Sequence, residues 1–235
     1  MTSTVSTQTT AAPAGAAAAT TTRTRTRMLL TGGVVAGPLF VAVGLAQAFT
    51  RAGFDPVRHP LSLLSLGDLG WIQITNFVTA GLLFLGAAVG VRRVLQGGRA
   101  GTWGPLLLGA FGVALVAGGV FLADAGLGFP PGAPQTTVHD VSFAELSWHG
   151  KLHGVAPLLG FLSLSLACFV FARRAVGLRQ RGWAVLCVAV GVVIQVLGAL
   201  PNGTGNFVPL WIAMAVGFCW ASAQVAQVRK LLRND

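Results

Sequence analysis

The sequence predicts an all-α integral membrane protein, a six-helix transmembrane bundle with both termini cytoplasmic. Three observations carry this expectation. Of the 235 residues, 54% are hydrophobic and 9% charged, and mean hydropathy is +0.73; a soluble domain carries roughly 25% charged residues to cover its surface. Six apolar stretches approach or exceed the roughly 20 residues that a helix needs to cross a bilayer core. Lys and Arg fall mainly on alternate flanks of those stretches, which sets an orientation.

Residues 1–27 are read as a disordered basic tail. Met1 to Thr22 is almost wholly Thr, Ala, Ser, Gly and Pro, a composition with too little apolar surface to fold, and Arg23, Arg25 and Arg27 close it. The spans are then placed at 28–50, 72–91, 103–123, 152–172, 183–200 and 207–228, within a transmembrane domain of residues 28–230. Residues 231–235 form a cytoplasmic end. Ala46-Gln47-Ala48 resembles a signal-peptide cleavage site, but the apolar region before it exceeds the 7–15 residues usual there, so the stretch is read as a span. No Asp, Glu, Lys or Arg lies inside any of the six. An alternating strand pattern is absent, which argues against a barrel, and a helix satisfies its backbone polar groups within the segment, as hydrocarbon demands.

One set of flanks holds Arg23, Arg25, Arg27, Arg92, Arg93, Arg99, Arg173, Arg174, Arg179, Arg181, Arg229, Lys230 and Arg233; the other holds Arg51, Arg58 and Lys151. This bias puts the first set inside. Asp55, Asp68, Asp124, Asp140, Glu145 and all four histidines then fall outside. Trp71, Trp148 and Trp211 are expected at the outer interface, Trp103 and Trp183 at the inner one, and Trp220 deeper. The net charge of +10 is therefore explained without nucleic acid: the basic loops are short and membrane-flanking, and suit anionic headgroups of the bilayer. Protein partners are not legible. Gly33/Gly37, Gly86/Gly90 and Gly150/Gly154 are spaced for close helix packing. Cys168, Cys187 and Cys219 read as small apolar residues within spans.

The side chains capable of chemistry gather at the outer ends of the helices. The candidate ligand-binding set is Arg51, Asp55, Arg58, His59, Ser62, Asp68, Gln73 and Asp124. His149 and His153 are spaced i, i+4, so on a helix they share a face and with Asp124 and His59 form a candidate metal set, zinc being the metal those donors suit. The glutamate of an HExxH pattern is missing, Lys151 stands between the two histidines, and no other cofactor signature is present. Asp124 and His153 flank the same long outer loop and are expected near each other.

The stretch Ala48-Phe49-Thr50-Arg51-Ala52-Gly53-Phe54-Asp55-Pro56-Val57-Arg58-His59-Pro60-Leu61-Ser62, continuing through Gly67-Asp68-Leu69-Gly70-Trp71-Ile72-Gln73, resembles the first outer loop of the bacterial "domain of unknown function 998" membrane protein family. Gly37-Pro38-Leu39-Phe40 resembles its first helix. Gly119-Val120-Phe121 with Asp124 and Pro130, then His149 to His153, resembles its third helix and following loop. The resemblance covers about residues 28–230 and implies a compact multi-pass protein of a bacterial cell membrane, with no activity, substrate, cofactor or residue role attached.

Three functions stay open at this point. One is binding or transport of a small polar or lipid-derived ligand at an outward-facing polar site. Another is metal-dependent hydrolysis of a membrane lipid, and the third is a non-catalytic structural or regulatory subunit. Transport is opposed by the lack of a charged residue near any helix midplane, where coupling sites lie.

Overall fold

The computed structural model describes residues 14–137, 140 and 142–232. Among these residues the chain is helical, and the sole β feature is an isolated bridge between Gly126 and Phe129. Six helices are long and apolar enough to cross a membrane: α1 (Ala14–Thr50), α2 (Gly70–Val94), α3 (Gly98–Val120), α4 (Trp148–Gly177), α5 (Arg181–Ala199) and α7 (Val208–Leu231). A single turn, α6 (Pro201–Thr204), joins α5 to α7, and a 3₁₀ turn at Leu61–Ser65 lies in the α1–α2 loop.

The helices run past most of the boundaries expected from hydropathy, because an apolar window marks the hydrocarbon-facing part of a helix and not its ends. Helix α1 begins at Ala14, so residues 14–27, assigned above to the tail, are helical. The remainder of that tail lies outside the described residues, as do His139 and residues 233–235. Arg92 and Arg93 sit in the last turn of α2 and Arg174 in that of α4, where cations complement the helix dipole. Helix α3 stops at Val120, three residues early. Near its start, Pro105 lacks the amide that would bond to the Gly101 carbonyl, and Arg92 Nη1 donates to that carbonyl instead at 2.7 Å.

The long helices form a closed ring. Each packs on its neighbours in chain order, and α1 packs on α7 to close the circle. The centre is filled by phenylalanines: Phe40 stacks on Phe218 with centroids 4.2 Å apart, and Phe111 meets Phe218 edge-on at 5.0 Å. Phe77 and Phe84 extend the cluster onto α2.

The α1–α7 seam depends on glycine. A Cβ on Gly37 would overlap the Phe218 carbonyl, and one on Gly33 would overlap Ala87 Cβ of α2. Into this close approach Ser222 inserts its hydroxyl, accepting from Gly37 N at 2.9 Å and donating to the Gly33 carbonyl at 2.8 Å. These two groups belong to one step of the α1 backbone ladder, next to the break that Pro38 makes in it. Arg23 donates to the Leu232 carbonyl and Arg229 to Thr31 Oγ1, so the start of α1 and the end of α7 lie at the same end of the bundle. This is the arginine end; the loop 51–69 and the described residues between α3 and α4 cap the other.

Candidate functional site

The cap is built around His59, only 2% exposed. Its Nδ1 accepts from the Asp55 backbone amide at 2.9 Å, so the ring hydrogen is on Nε2, which donates to the Leu127 carbonyl at 2.9 Å. The His59 carbonyl accepts from Trp211 Nε1 at 3.1 Å, and the Val57 carbonyl accepts from Phe207 N at 2.8 Å. Phe54 and Phe129 pack on the imidazole with centroids 5.1 and 5.5 Å away. One side chain thus ties the first loop to the second, while the neighbouring backbone ties it to α7. Trp211, expected at the membrane interface, is instead 8% exposed within this cap.

The other candidates in this loop also serve its backbone. Arg51 donates to the carbonyls of Leu64 and Leu66, at 3.1 and 2.7 Å, with its guanidinium 5.6 Å from the centre of the Phe129 ring. Burial lowers its pKa while the charge of Asp68 raises it; a guanidinium stays charged throughout. Asp55 Oδ1 accepts from Val57 N at 2.9 Å, closing a local turn. Arg58 is exposed and reaches Gln135 Oε1 at 3.3 Å, and Asp68 is exposed at the rim. Gln73 is fully buried beneath the cap, its Oε1 accepting from Gln47 at 2.7 Å and from Asn76 at 3.3 Å.

Asp124 and His153 both lie where α3 gives way to α4, but on different partners. Ser147 caps α4, accepting from Gly150 N at 3.0 Å. Asp124 binds the Ser147 hydroxyl through Oδ1 and its amide through Oδ2, the latter at 2.8 Å. A carboxylate here also complements the positive end of the helix dipole. His153 Nδ1 donates to the Phe121 carbonyl at 2.7 Å, at the C-terminal end of α3, and the Asp124 charge acts on this ring from nearby. His149 is exposed and its ring lies tilted against Trp148, with centroids 3.6 Å apart. Among the described residues no three His, Cys, Asp or Glu side chains are grouped to hold a metal; His59, His149 and His153 are each committed to a separate neighbour. Ser147→Ala should cost about 1 kcal/mol through the lost cap, and Asp124→Asn about 0.3–1 kcal/mol. Because the two groups act together, the double variant should lose less than the sum; additive losses in thermal unfolding would dissolve the pair.

Beneath the cap a cavity of about 570 Å³ lies within the ring. Phe40, Phe77, Phe111 and Phe218 form its floor, and Pro60, Leu61, Ser62 and Trp211 border it on the cap side. Its walls come from α3, α4, α5 and α7, with Pro157, Gly160, Phe161, Ile194, Gly198 and Met214 among the lining residues. Polar groups are few: Ser62, His153 and Gln195. Leu158, also on its wall, is 65% exposed, so the cavity opens sideways, on the face that lipid would cover. Of the candidate ligand-binding residues only Ser62 lines it, and of the candidate metal ligands only His153. The apolar wall went unpredicted. Its one signal was the run of small residues at Gly154, Gly160 and Gly198, which leave volume unfilled.

A family model described as "Protein of unknown function (DUF998)" matches residues 34–228. Neither a curated protein nor a solved structure matches the chain.

Proposed function

The chain belongs to the DUF998 family, whose function is unknown, and on that premise we propose a role from the cavity alone: it binds the apolar part of a lipid-derived molecule from the surrounding membrane. Ser62, His153 and Gln195 meet the polar end of that ligand. By the Lys and Arg bias the cap faces the outside of the cell membrane and the arginine end faces the cytoplasm.

The observation that carries this reading is an apolar cavity within the usual range for small-molecule sites, about 300–1,000 Å³, opening where a lipid could enter sideways. Protein interiors seldom leave such space unfilled, and an apolar cavity takes apolar guests in preference to water. The charged groups of the first loop contribute by holding the cap. Hydrolysis by a metal centre would need His149, His153 and Asp124 to converge, whereas among the described residues no three such side chains are grouped to hold a metal.

Gly198→Phe provides the test. A Cβ at Gly198 meets no atom within 4 Å, so the larger side chain can enter the cavity mouth without displacing backbone. The probe is stearic acid carrying a mid-chain nitroxide, which quenches nearby tryptophan. Trp211 lines the cavity and is buried, so the difference in quenching between the native protein and Trp211→Phe isolates the cavity signal from that of lipid-facing tryptophans. Saturable quenching of Trp211 is expected, falling at least ten-fold in Gly198→Phe with an unchanged unfolding midpoint. Equal quenching with and without the phenylalanine, or none in the native protein, would remove this function.

A further inference from the structure

The geometry points to a second lipid site, independent of the cavity: a cleft at the arginine end that binds the phosphodiester headgroup of an anionic phospholipid. The cleft, about 580 Å³, lies between the α2–α3 loop, the C-terminal part of α4 and the end of α7. Arg99, Arg173 and Arg174 line it together with Trp103 and Leu231.

The arginines are the reason to look for an anion. Three arginines line one cleft, and none makes a hydrogen bond to a described protein acceptor. Nearby Arg92 shows the contrast, being engaged by the Gly101 carbonyl. Among the described residues the acids, Asp55, Asp68, Asp124, Asp140 and Glu145, are in the cap loops, so no described carboxylate offsets the three charges. Like charges held together repel, and a bound anion relieves that repulsion. The α3 N-terminus borders the same cleft, and its N-cap, Gly97, has no side chain to occupy the free amides; those amides favour anions as well.

Apolar neighbours favour a lipid over a free ion. Trp103 is 56% exposed, as an indole at the headgroup level is, and Val170 and Leu231 place apolar surface beside the charges. A phospholipid would present phosphate to the guanidiniums and keep its acyl chains on the outside of α3 and α4. Arg suits this role because its planar fork binds phosphate through two parallel hydrogen bonds. The leaflet follows from the orientation proposed above; the binding itself does not depend on it.

The test uses the full chain in phosphatidylcholine nanodiscs containing a minor share of phosphatidylglycerol, with bromine on the acyl chains of one lipid at a time. Trp103 quenching, taken as the difference from Trp103→Phe, should show phosphatidylglycerol enriched several-fold over its share of the bilayer. Arg99→Gln and Arg173→Gln should each reduce that enrichment, by up to about five-fold per arginine, and high salt should reduce it too. A control that loses two charges, Arg25→Gln with Arg181→Gln, at the same end but outside the cleft, should retain it. Enrichment equal to the bulk share, or lost equally in the control, would reduce the effect to general surface charge and overturn the site. Inorganic phosphate at millimolar concentration should leave the enrichment standing; displacement by phosphate alone would make this a free-anion site and overturn the lipid assignment.

Discussion

Gly37→Leu is expected to leave the bundle largely unassembled, with a loss of about 3 kcal/mol or more. The loss follows from what the new side chain would strike. A leucine cannot rotate out of the way, because the overlap begins at Cβ and the obstacle is the backbone carbonyl of Phe218. Overpacking of a close-packed core costs about 1–3 kcal/mol when side chains can shift, and here a helix must move. Moving α7 away from α1 would also withdraw the Ser222 hydroxyl from Gly33 and Gly37 and separate the stacked rings of Phe40 and Phe218. Ser222→Ala isolates the smaller part of this effect and should cost about 1–3 kcal/mol, the range for a buried polar group left without its partner. Reversible unfolding in mixed micelles measures both. A Gly37→Leu protein with a native midpoint would show that the helices do not approach as described.

His59→Ala should have the second large effect, about 2–5 kcal/mol, expressed first in the cap. The substitution strands the Asp55 amide and the Leu127 carbonyl, each costing about 1–3 kcal/mol if it finds no water, and leaves a void among Phe54, Phe129 and Trp211. Protease cleavage between residues 51 and 69 should become rapid, and Trp211 emission should move to longer wavelength as water reaches it. His59→Gln can restore one of the two ring contacts and should fall between. Unchanged protease resistance in His59→Ala would mean that the loops are held by something other than this ring.

Much of the fold was legible because membrane physics constrains it: length, apolarity and backbone satisfaction identify six spans without reference to any partner. The glycine pairs Gly33/Gly37 and Gly86/Gly90 were legible as packing sites for the same reason, and they do lie against neighbouring helices. The first-loop candidates were found as residues, but the structure engages most of them with the fold. Arg51, Asp55 and His59 look like recognition groups in a sequence, since residue type shows what a side chain can bond to and not which backbone groups lack a partner. At the membrane edge two irregular loops bring many amides and carbonyls out of water, each needing one, and these side chains supply it. Trp211 lies at the cap end, as its place near a helix end suggests, but its ring is buried there. An indole near a helix end reads as an interfacial anchor, and only the position of the His59 carbonyl reveals that it belongs inside. The cavity was hardest to see because it is made by absent volume spread over four helices.

The closed ring also constrains the order in which the molecule can be built. The partner that completes the α1 seam is α7, the transmembrane helix furthest from it along the chain. As the chain emerges from the ribosome, α1 can settle against α2 and the rest can follow as successive hairpins, all contacts of short range. The face of α1 carrying Gly33 and Gly37 nevertheless stays without Ser222 until α7 has been synthesised and inserted. Closing the circle is then a contact across nearly the whole transmembrane sequence, the slow kind in which distant segments must meet. Until it happens the phenylalanine cluster lacks Phe218, and the half-made bundle offers an open groove to lipid or to another nascent chain. A chain cut short before α7 would keep that groove open.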